Sequence, residues 1–99
     1  MMVDLNFAEL QQHKAQILAL CQKYHASNIR VFGSVARGDN QAESDIDLLV
    51  DMPSHISFLR LVSLHQELCE LLGKKVDIAI ERNLPPLIKK QVLRDARKL

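Results

Sequence analysis

The chain has 99 residues, of which 47% are apolar, and its 13 basic and 12 acidic side chains leave a formal net charge of +1. This length predicts a single domain over residues 1–99, and the near-neutral charge excludes a global field for nucleic acid or membranes, so no direct nucleic-acid binding is expected. No apolar run approaches the roughly 20 residues of a membrane span, and Asp4 and Asn6 interrupt any signal-peptide pattern, so we expect a cytoplasmic protein without a membrane partner.

The first predicted element is a helix from Asn6 to about Tyr24, because apolar residues recur there at helical spacing. Asn6 followed by Glu9 three residues later is typical of a helix start. Cys21 in this helix and Cys69 in a later one lack the spacing of a metal site, so both are expected to be buried reduced thiols. Tyr24 is the sole tyrosine and therefore the one candidate for self-modification at tyrosine, but its helical pattern favours burial.

Two strands are predicted next. The run "NIRVFG" is β-branched and aromatic and ends at Gly33, which suits a strand that turns sharply. The run "DIDLLVDM" is a second strand, closed by Pro53 because proline cannot donate a hydrogen bond to a sheet. The short polar segment 34–44 between them predicts neighbouring strands joined by a helical turn and a loop.

The last three elements are a helix, a strand and a helix. Gly73 ends the first helix. The stripe that repeats at spacings of three and four along this helix consists of Phe58, Leu61, Val62, His65, Leu68, Cys69 and Leu72. The run "KKVDIAIE" is the third strand, and prolines open the final helix in "LPPLIKKQVLRDARKL". That helix is strongly basic, which indicates either a solvated face or a surface that docks on an acidic partner. Its basic residues are Lys89, Lys90, Arg94, Arg97 and Lys98.

This order predicts an α/β (α+β) fold with a small mixed sheet of three or four strands packed with helices. The long helix between the second and third strands can serve as the crossover between parallel neighbours.

Carboxylates recur on one face of the predicted sheet. Because side chains alternate along a strand, Asp45, Asp47 and Asp51 lie opposite the apolar residues of "DIDLLVDM". Asp77 alternates with apolar neighbours in "KVDIAI", so it joins Asp45 and Asp47 if both apolar faces pack on the same layer. Clustered carboxylates repel each other unless a proton or cation compensates, and Mg²⁺ is the usual cation. The alternative is a solvated strand face.

The turn after the first strand has the features of a phosphate site. Gly33 allows unusual backbone angles and close ligand approach, and Ser34 offers a hydroxyl and backbone N–H groups. A phosphate cradle beside a metal site suits a nucleoside triphosphate with Mg²⁺. A P-loop is excluded, because Asp39 and Asn40 stand where lysine and serine or threonine are required.

Gly33-Ser34, ten intervening residues and then Asp45-Ile46-Asp47 resemble the signature of the nucleotidyltransferase superfamily that includes DNA polymerase beta. The longer "GSVARGDNQAESDIDLLV" is similar to its minimal nucleotidyltransferase branch. The resemblance covers about residues 29–81 by motif and the whole chain by size and element order. It implies a polymerase beta-like nucleotidyltransferase fold, with Asp77 at the position of the branch's third carboxylate.

The resemblance also implies a function. Members of this branch resemble the antitoxin half of toxin–antitoxin pairs whose partner is a HEPN-domain ribonuclease toxin. The implied reaction transfers AMP from ATP to a tyrosine hydroxyl of that partner, with Mg²⁺ as the cofactor, and the two proteins form a hetero-oligomer. The implied catalytic and metal-binding residues are Asp45, Asp47 and Asp77.

The implied roles differ between residues. Asp45 and Asp47 hold Mg²⁺ against the triphosphate, while Gly33 and Ser34 hold its terminal phosphates. Asp77 helps to bind one of two metal ions and activates the attacking hydroxyl. A further residue of the turn, Arg37, either supplies charge to the triphosphate or caps the short helix.

Two other functions stay open. One is nucleotidyl transfer to a small-molecule hydroxyl, as in the aminoglycoside nucleotidyltransferases, which normally bring a second helical domain. The other is a non-catalytic antitoxin that neutralises its toxin by binding. The intact carboxylate set opposes the second, because an uncompensated cluster of charges costs stability.

Overall fold

The computed structural model describes residues 6–41 and 44–99. Its elements are α1 (Phe7–Gln12), α2 (Lys14–Lys23), β1 (Ser27–Phe32), α3 (Gly33–Arg37), β2 (Ile46–Asp51), α4 (Phe58–Leu72), β3 (Val76–Ile80), a 3-10 turn (Glu81–Asn83), α5 (Pro86–Asp95) and β4 (Arg97–Lys98). Within these two ranges, no helix has the length and apolar character needed to cross a membrane.

The strands form one mixed sheet in the order β3-β2-β1-β4. Strand β1 runs antiparallel to β2 and to β4, whereas β2 and β3 are parallel and are connected by α4. The predicted mixed sheet, the helical turn between β1 and β2 and the crossover helix are therefore confirmed. The proline start of the final helix is confirmed as well, with Pro86 as its first residue.

The fourth strand corrects the prediction that Arg97 and Lys98 belong to the final helix. Helix α5 ends at Asp95, and Ala96 adopts an extended conformation, with φ −62° and ψ 132°. The chain then pairs with β1, and the N–H of Leu99 donates to the Ile29 carbonyl at 3.2 Å. Leu99 is buried, so burial of this apolar residue accompanies the change from helix to strand.

The N-terminal segment also differs from the single predicted helix. The start is confirmed, because the Asn6 side chain accepts a hydrogen bond from the Glu9 N–H at 2.8 Å. The helix is interrupted at His13, whose N–H donates to the Leu10 carbonyl at 3.0 Å, and α2 begins at the next residue. No glycine or proline stands at this position, so the sequence carries no signal for the break.

One face of the sheet packs on α1, α2 and α4 through a cluster of buried apolar residues. The α4 stripe differs from the prediction, because the completely buried line runs through Leu64 and Leu68, while Phe58 at the helix start is 74% exposed. Cys21 is a free buried thiol, and burial raises its pKa to about 11. Cys69 is free and half-buried, so it is less enclosed than predicted.

The other face of the sheet carries both polar and buried groups. Leu49 is completely buried although it shares the face of Asp47, and it lies outside the main apolar cluster. Its register partner on β1 is Arg30, whose side chain is only 12% exposed and pairs with Asp51 and Glu81. The alternative of a solvated strand face therefore does not describe this side of the sheet, because it contains a buried leucine and a nearly buried arginine.

Candidate active site

The turn from β1 into α3 lies against a carboxylate of β2. Gly33, the first residue of α3, has φ +73°, in the left-handed region that favours glycine. A Cβ atom at this position would overlap Asp47 Oδ2 and lie 3.3 Å from Asp47 Cγ. Residue 33 must therefore be glycine for two separate reasons, its backbone angle and the space that Asp47 occupies.

Two of the predicted carboxylates are direct neighbours across the sheet. Asp47 on β2 and Asp77 on β3 are register partners in a parallel pair, so their side chains leave the same face of adjacent strands, which lie about 4.8 Å apart. Phe32 of β1 pairs with Asp47 from the other side, and this register brings the Gly33 turn beside it. Asp45 immediately precedes β2. The structure thus brings together the residues that the motif predicts.

The charges in this cluster interact. The pKa of Asp47 is raised to about 6, chiefly by burial and then by the negative charges of Asp77 and Asp45, while the positive charge of Arg37 acts in the opposite direction. Among residues 6–41 and 44–99, no basic side chain forms an ion pair with Asp47 or Asp77. In the same two ranges, the one ion pair of Asp45 is an exposed contact with Lys75 at 3.8 Å. The site therefore carries an excess of negative charge that a cation would compensate.

The donor set fits Mg²⁺ held in part by a substrate. In the described part of the chain, no three His, Cys, Asp or Glu side chains meet closely enough to hold a metal ion between them. Mg²⁺ is commonly bound through one or two carboxylates, with water and phosphate oxygens in the remaining positions. The hard oxygen donors of Asp45 and Asp47 and their uncompensated charge suit an ion bound in this way.

Arg37 at the end of α3 is engaged by acidic side chains. Its guanidinium donates to Asp95 of α5 at 2.9 Å and to Asp39 at 3.2 Å, and these contacts raise the pKa of Arg37. Gly38, in the left-handed conformation, caps α3 by donating to the Ser34 carbonyl at 2.9 Å. Arg37 therefore ties α3 to α5, and its charge still reaches Asp47.

Two residues that the sequence singled out lie away from this cluster. Asp51, at the other end of β2, accepts hydrogen bonds from Asn28 at 3.0 Å and from Arg30 at 3.2 Å. The hydroxyl of Tyr24 donates to Glu67, and the side chain is only 9% exposed. The predicted burial of Tyr24 is confirmed, and it is not presented as an acceptor.

A groove beside Asp77 is the feature that sequence reasoning missed. It has a volume of about 270 Å³ and lies between the first half of α4 and β3. Helical spacing assigns its α4 residues to a core-facing stripe, but a helix that buries one stripe cannot also bury adjacent Phe58 and Leu59, which are 74% and 76% exposed. Two large apolar residues next to each other at the start of a helix are therefore the sequence feature that indicates an exposed apolar surface here. The lining residues are Phe58, Leu61, Val62, His65, Asp77 and Ile78.

Comparison with known proteins identifies the domain. The chain matches the family described as "Nucleotidyltransferase domain" over residues 13–99. It is 37% identical to protein adenylyltransferase MntA of Thermococcus cleftensis over 86 residues, covering 87% of this chain and 84% of that protein. A protein provisionally named a protein adenylyltransferase in Methanocaldococcus jannaschii is 37% identical over 87 residues, covering 88% of this chain and 94% of its own.

Solved structures agree with this match. A provisionally named minimal nucleotidyltransferase superposes with a TM-score of 0.84 at 41% identity, covering 96% of this chain and 97% of that chain. A mutant of the toxin–antitoxin MntA-HpeT superposes with a TM-score of 0.73 at 25% identity, covering 87% and 70%. A toxin–antitoxin structure with AMP-PNP has a TM-score of 0.74 at 24% identity, covering 86% and 70%, and shows the shared fold. The region that matches the family contains every residue of the candidate site.

Proposed function

The chain belongs to the nucleotidyltransferase domain family and is a nucleotidyltransferase, and from this we propose that it transfers AMP from ATP to a hydroxyl group of a partner protein. The partner in this proposal is a HEPN-domain toxin, the acceptor is a tyrosine, and the transfer neutralises the toxin. The relative from Thermococcus cleftensis, named a protein adenylyltransferase, supports AMP transfer to protein. The likeness to MntA-HpeT supports a toxin as the partner.

The observation that carries the proposal is the pairing of Asp47 with Asp77 across β2 and β3, directly beside Gly33. Carboxylates in such a pair repel each other, and among the described residues neither forms an ion pair, although the charge of Arg37 offsets part of the repulsion at Asp47. A triphosphate held at the glycine turn, accompanied by a divalent cation, explains the close backbone approach and the unbalanced charge together.

Each site residue then has a defined task. The backbone at Gly33 and the hydroxyl and N–H of Ser34 hold the terminal phosphates, with Arg37 adding positive charge nearby. Mg²⁺ at Asp45 and Asp47, with a second ion shared with Asp77, would neutralise the triphosphate and stabilise the attacking and leaving oxygens.

The chemical step is an in-line displacement at the α-phosphorus. The acceptor oxygen forms a bond to this phosphorus, and the bond from the phosphorus to the oxygen that bridges to the β-phosphate breaks. Pyrophosphate leaves with that electron pair, and the hydroxyl proton passes to the Asp77 carboxylate. Asp77 is exposed, so a hydroxyl on the surface of another protein can reach it.

The experiment that tests this function follows the label from ATP. Protein and partner toxin are incubated with Mg²⁺ and α-labelled ATP, with γ-labelled ATP and the Asp45→Asn variant as controls. We expect label on the toxin from the α position only, and its loss in the variant or in excess EDTA. Toxin that is neutralised without any label would overturn the proposal in favour of an antitoxin that acts by binding.

A variant of a second carboxylate separates the two open alternatives. Asp47→Ala should lose neutralisation together with label transfer if the protein is an enzyme, and should keep neutralisation if it only covers the toxin. Label that appears on a small hydroxyl compound and never on the toxin would indicate a small-molecule transferase instead.

A further inference from the structure

We propose that the groove between α4 and β3 is the acceptor subsite of this enzyme, and that it receives an aromatic side chain that carries the reacting hydroxyl. The inference rests on the proposed function and adds where the acceptor binds and which residues select it. Phe58 forms the exposed rim of the groove. The walls of the groove are formed by Leu61, Val62, His65 and Ile78.

The order of the strands determines the side from which an acceptor approaches. Gly33 and Ser34 follow β1, Asp47 lies on β2, and Asp77 lies on β3. In an in-line displacement, the attacking oxygen and the departing pyrophosphate lie on opposite sides of the phosphorus. With the terminal phosphates held at the end of β1, the acceptor must approach from the β3 side. The groove lies on that side.

The groove and the carboxylate cluster share one residue. Asp77 lines the groove and is also the register partner of Asp47. Because β3 is an edge strand and Ile78, next to Asp77, packs on the apolar cluster, a side chain seated between α4 and β3 can reach around this edge and place its hydroxyl beside the carboxylates. This continuity links a binding surface to the reacting atoms.

The lining favours a ring over a charged or flexible side chain. Of the described residues that line the groove, four are apolar and two, His65 and Asp77, are polar. An aromatic side chain with a hydroxyl at one end needs this combination of an apolar wall and a polar contact at its tip. The volume of about 270 Å³ is below the roughly 300–1,000 Å³ of pockets that enclose drug-sized ligands, so it suits one side chain rather than a whole nucleotide.

The exposure of Phe58 supports the binding of an acceptor side chain in the groove. Its ring is 74% exposed at the groove rim, where it gains nothing from the core of this chain. Burial of such a ring against a partner is the kind of contact that dominates protein interfaces. Neighbouring Leu59 is 76% exposed but does not line the groove, which makes it a matched control on the same helical turn.

The kinetic test compares Phe58→Ala with Leu59→Ala in the full chain, with the partner toxin as acceptor. Both side chains are exposed, so both variants should fold. We expect Phe58→Ala to raise KM for the toxin by about tenfold, from the lost burial of the ring, with KM for ATP unchanged and with Leu59→Ala close to wild type. An increase in KM for ATP alone would assign the groove to the base and overturn the proposal, as would equal effects of the two substitutions.

A binding measurement separates failure of this inference from failure of the proposed function. The ¹⁵N-labelled chain is titrated with N-acetyl-L-tyrosine amide at millimolar concentration, with N-acetyl-L-alanine amide as the control probe. We expect shifts of the Val62, His65 and Ile78 amides with the tyrosine probe only, lost in Phe58→Ala and kept in Leu59→Ala. No such shifts, or the same shifts with AMP, would overturn the subsite even if wild-type protein labels the toxin. Absence of labelling together with these shifts would overturn the proposed function and leave an aromatic binding site.

Discussion

The Asp47 carboxylate occupies the space in which a side chain on Gly33 would begin. An ideal Cβ atom on Gly33 overlaps Asp47 Oδ2, and the same residue has φ +73°. The signature glycine therefore does more than allow a turn, because its missing side chain lets the backbone of α3 lie directly on the carboxylate of β2. This contact joins the proposed phosphate-binding turn to the proposed metal ligand.

The first prediction is that Gly33→Ala loses nearly all transfer activity. The added methyl group must displace the Asp47 carboxylate, and the left-handed backbone angle costs a further ~1–2 kcal/mol. Because a misplacement of about 1 Å can cost a hundredfold in rate, we expect transfer of α-label to fall at least about a hundredfold. Urea unfolding should show a loss of stability of more than about 1 kcal/mol.

Gly73→Ala is the matched control for this substitution. Gly73 has φ +64° and caps α4, but a Cβ atom there meets nothing within 4 Å. This variant should lose about 1 kcal/mol of stability and keep its transfer activity. Equal loss of activity in the two variants would show that backbone strain, and not the Asp47 contact, explains the effect.

The second prediction concerns stability as a function of pH in the metal-free protein. The pKa of Asp47 is about 6 in the folded state against an ordinary 3.8, so the folded state binds this proton more tightly than the unfolded state does. Ionised Asp47 therefore destabilises the fold above about pH 6, and that penalty disappears as the pH falls toward 4.

Asp47→Asn should remove this penalty. With EDTA present, we expect the variant to be more stable than wild type by about 1 kcal/mol at pH 7.5, since solvent screening reduces the ~3 kcal/mol that a shift of about two pH units would give. The difference should vanish near pH 4. Asp77→Asn should move the transition of wild-type Asp47 to lower pH, because it removes a neighbouring negative charge. Stability differences that do not change with pH would contradict this account.

Much of the fold was accessible from local patterns. Asn6 marks the first helix start, Pro86 opens the last helix, and the β-branched runs ending at Gly33 and Pro53 are strands, because in each case the local residues favour the observed backbone. The break at His13 carries no such signal. The local sequence therefore does not explain the break.

Local sequence patterns do not predict the fourth strand or the groove either, because both depend on contacts between segments that are distant in the sequence. Arg97 and Lys98 are charged residues at the end of a helical pattern, and they become a strand because the chain buries Leu99 and pairs with β1. The motif predicted that Gly33 and Asp47 belong to one site. Their direct contact depends on the β1–β2 register, which a sequence pattern alone does not determine.

The third prediction tests the polar network on the second face of the sheet. Arg30 is 12% exposed, and it donates to Asp51 at 3.2 Å, to Glu81 and to the Asn28 carbonyl at 3.0 Å. Arg30→Ala leaves two carboxylates without their shared partner and removes the packed stem of the arginine. We expect a loss of about 2–4 kcal/mol in urea unfolding.

Arg37→Ala serves as the comparison, because Arg37 also contacts two carboxylates but is half-exposed. Solvent weakens such pairs, so this variant should unfold at nearly the wild-type urea concentration. A loss in Arg37→Ala as large as that in Arg30→Ala would refute the role given to burial.

The fourth prediction is that Tyr24 is structural. Its hydroxyl donates to Glu67, and this hydrogen bond raises the pKa of Tyr24 and lowers that of Glu67. Tyr24→Phe should lower the melting temperature and leave transfer to the toxin unchanged. Wild-type protein incubated with α-labelled ATP alone should show no label at Tyr24 by mass spectrometry, and label there would refute the assignment.

The last prediction separates carboxylates that share a sheet face but differ in surroundings. Asp77 is the register partner of Asp47 and has no ion pair among the described residues. Asp51 lies on β2 four positions beyond Asp47, a distance of about 13 Å along the strand. Its carboxylate is paired with Arg30 and Asn28. Removing the charge of Asp77 takes away a proton acceptor and a metal ligand, so Asp77→Asn should lower kcat for label transfer at least about a hundredfold. Asp51→Asn should leave kcat within about twofold of wild type while it lowers stability, because its partners serve the fold. Comparable losses of kcat in the two variants would mean that the whole acidic face takes part in catalysis, and that the Asp47–Asp77 pair has no special role.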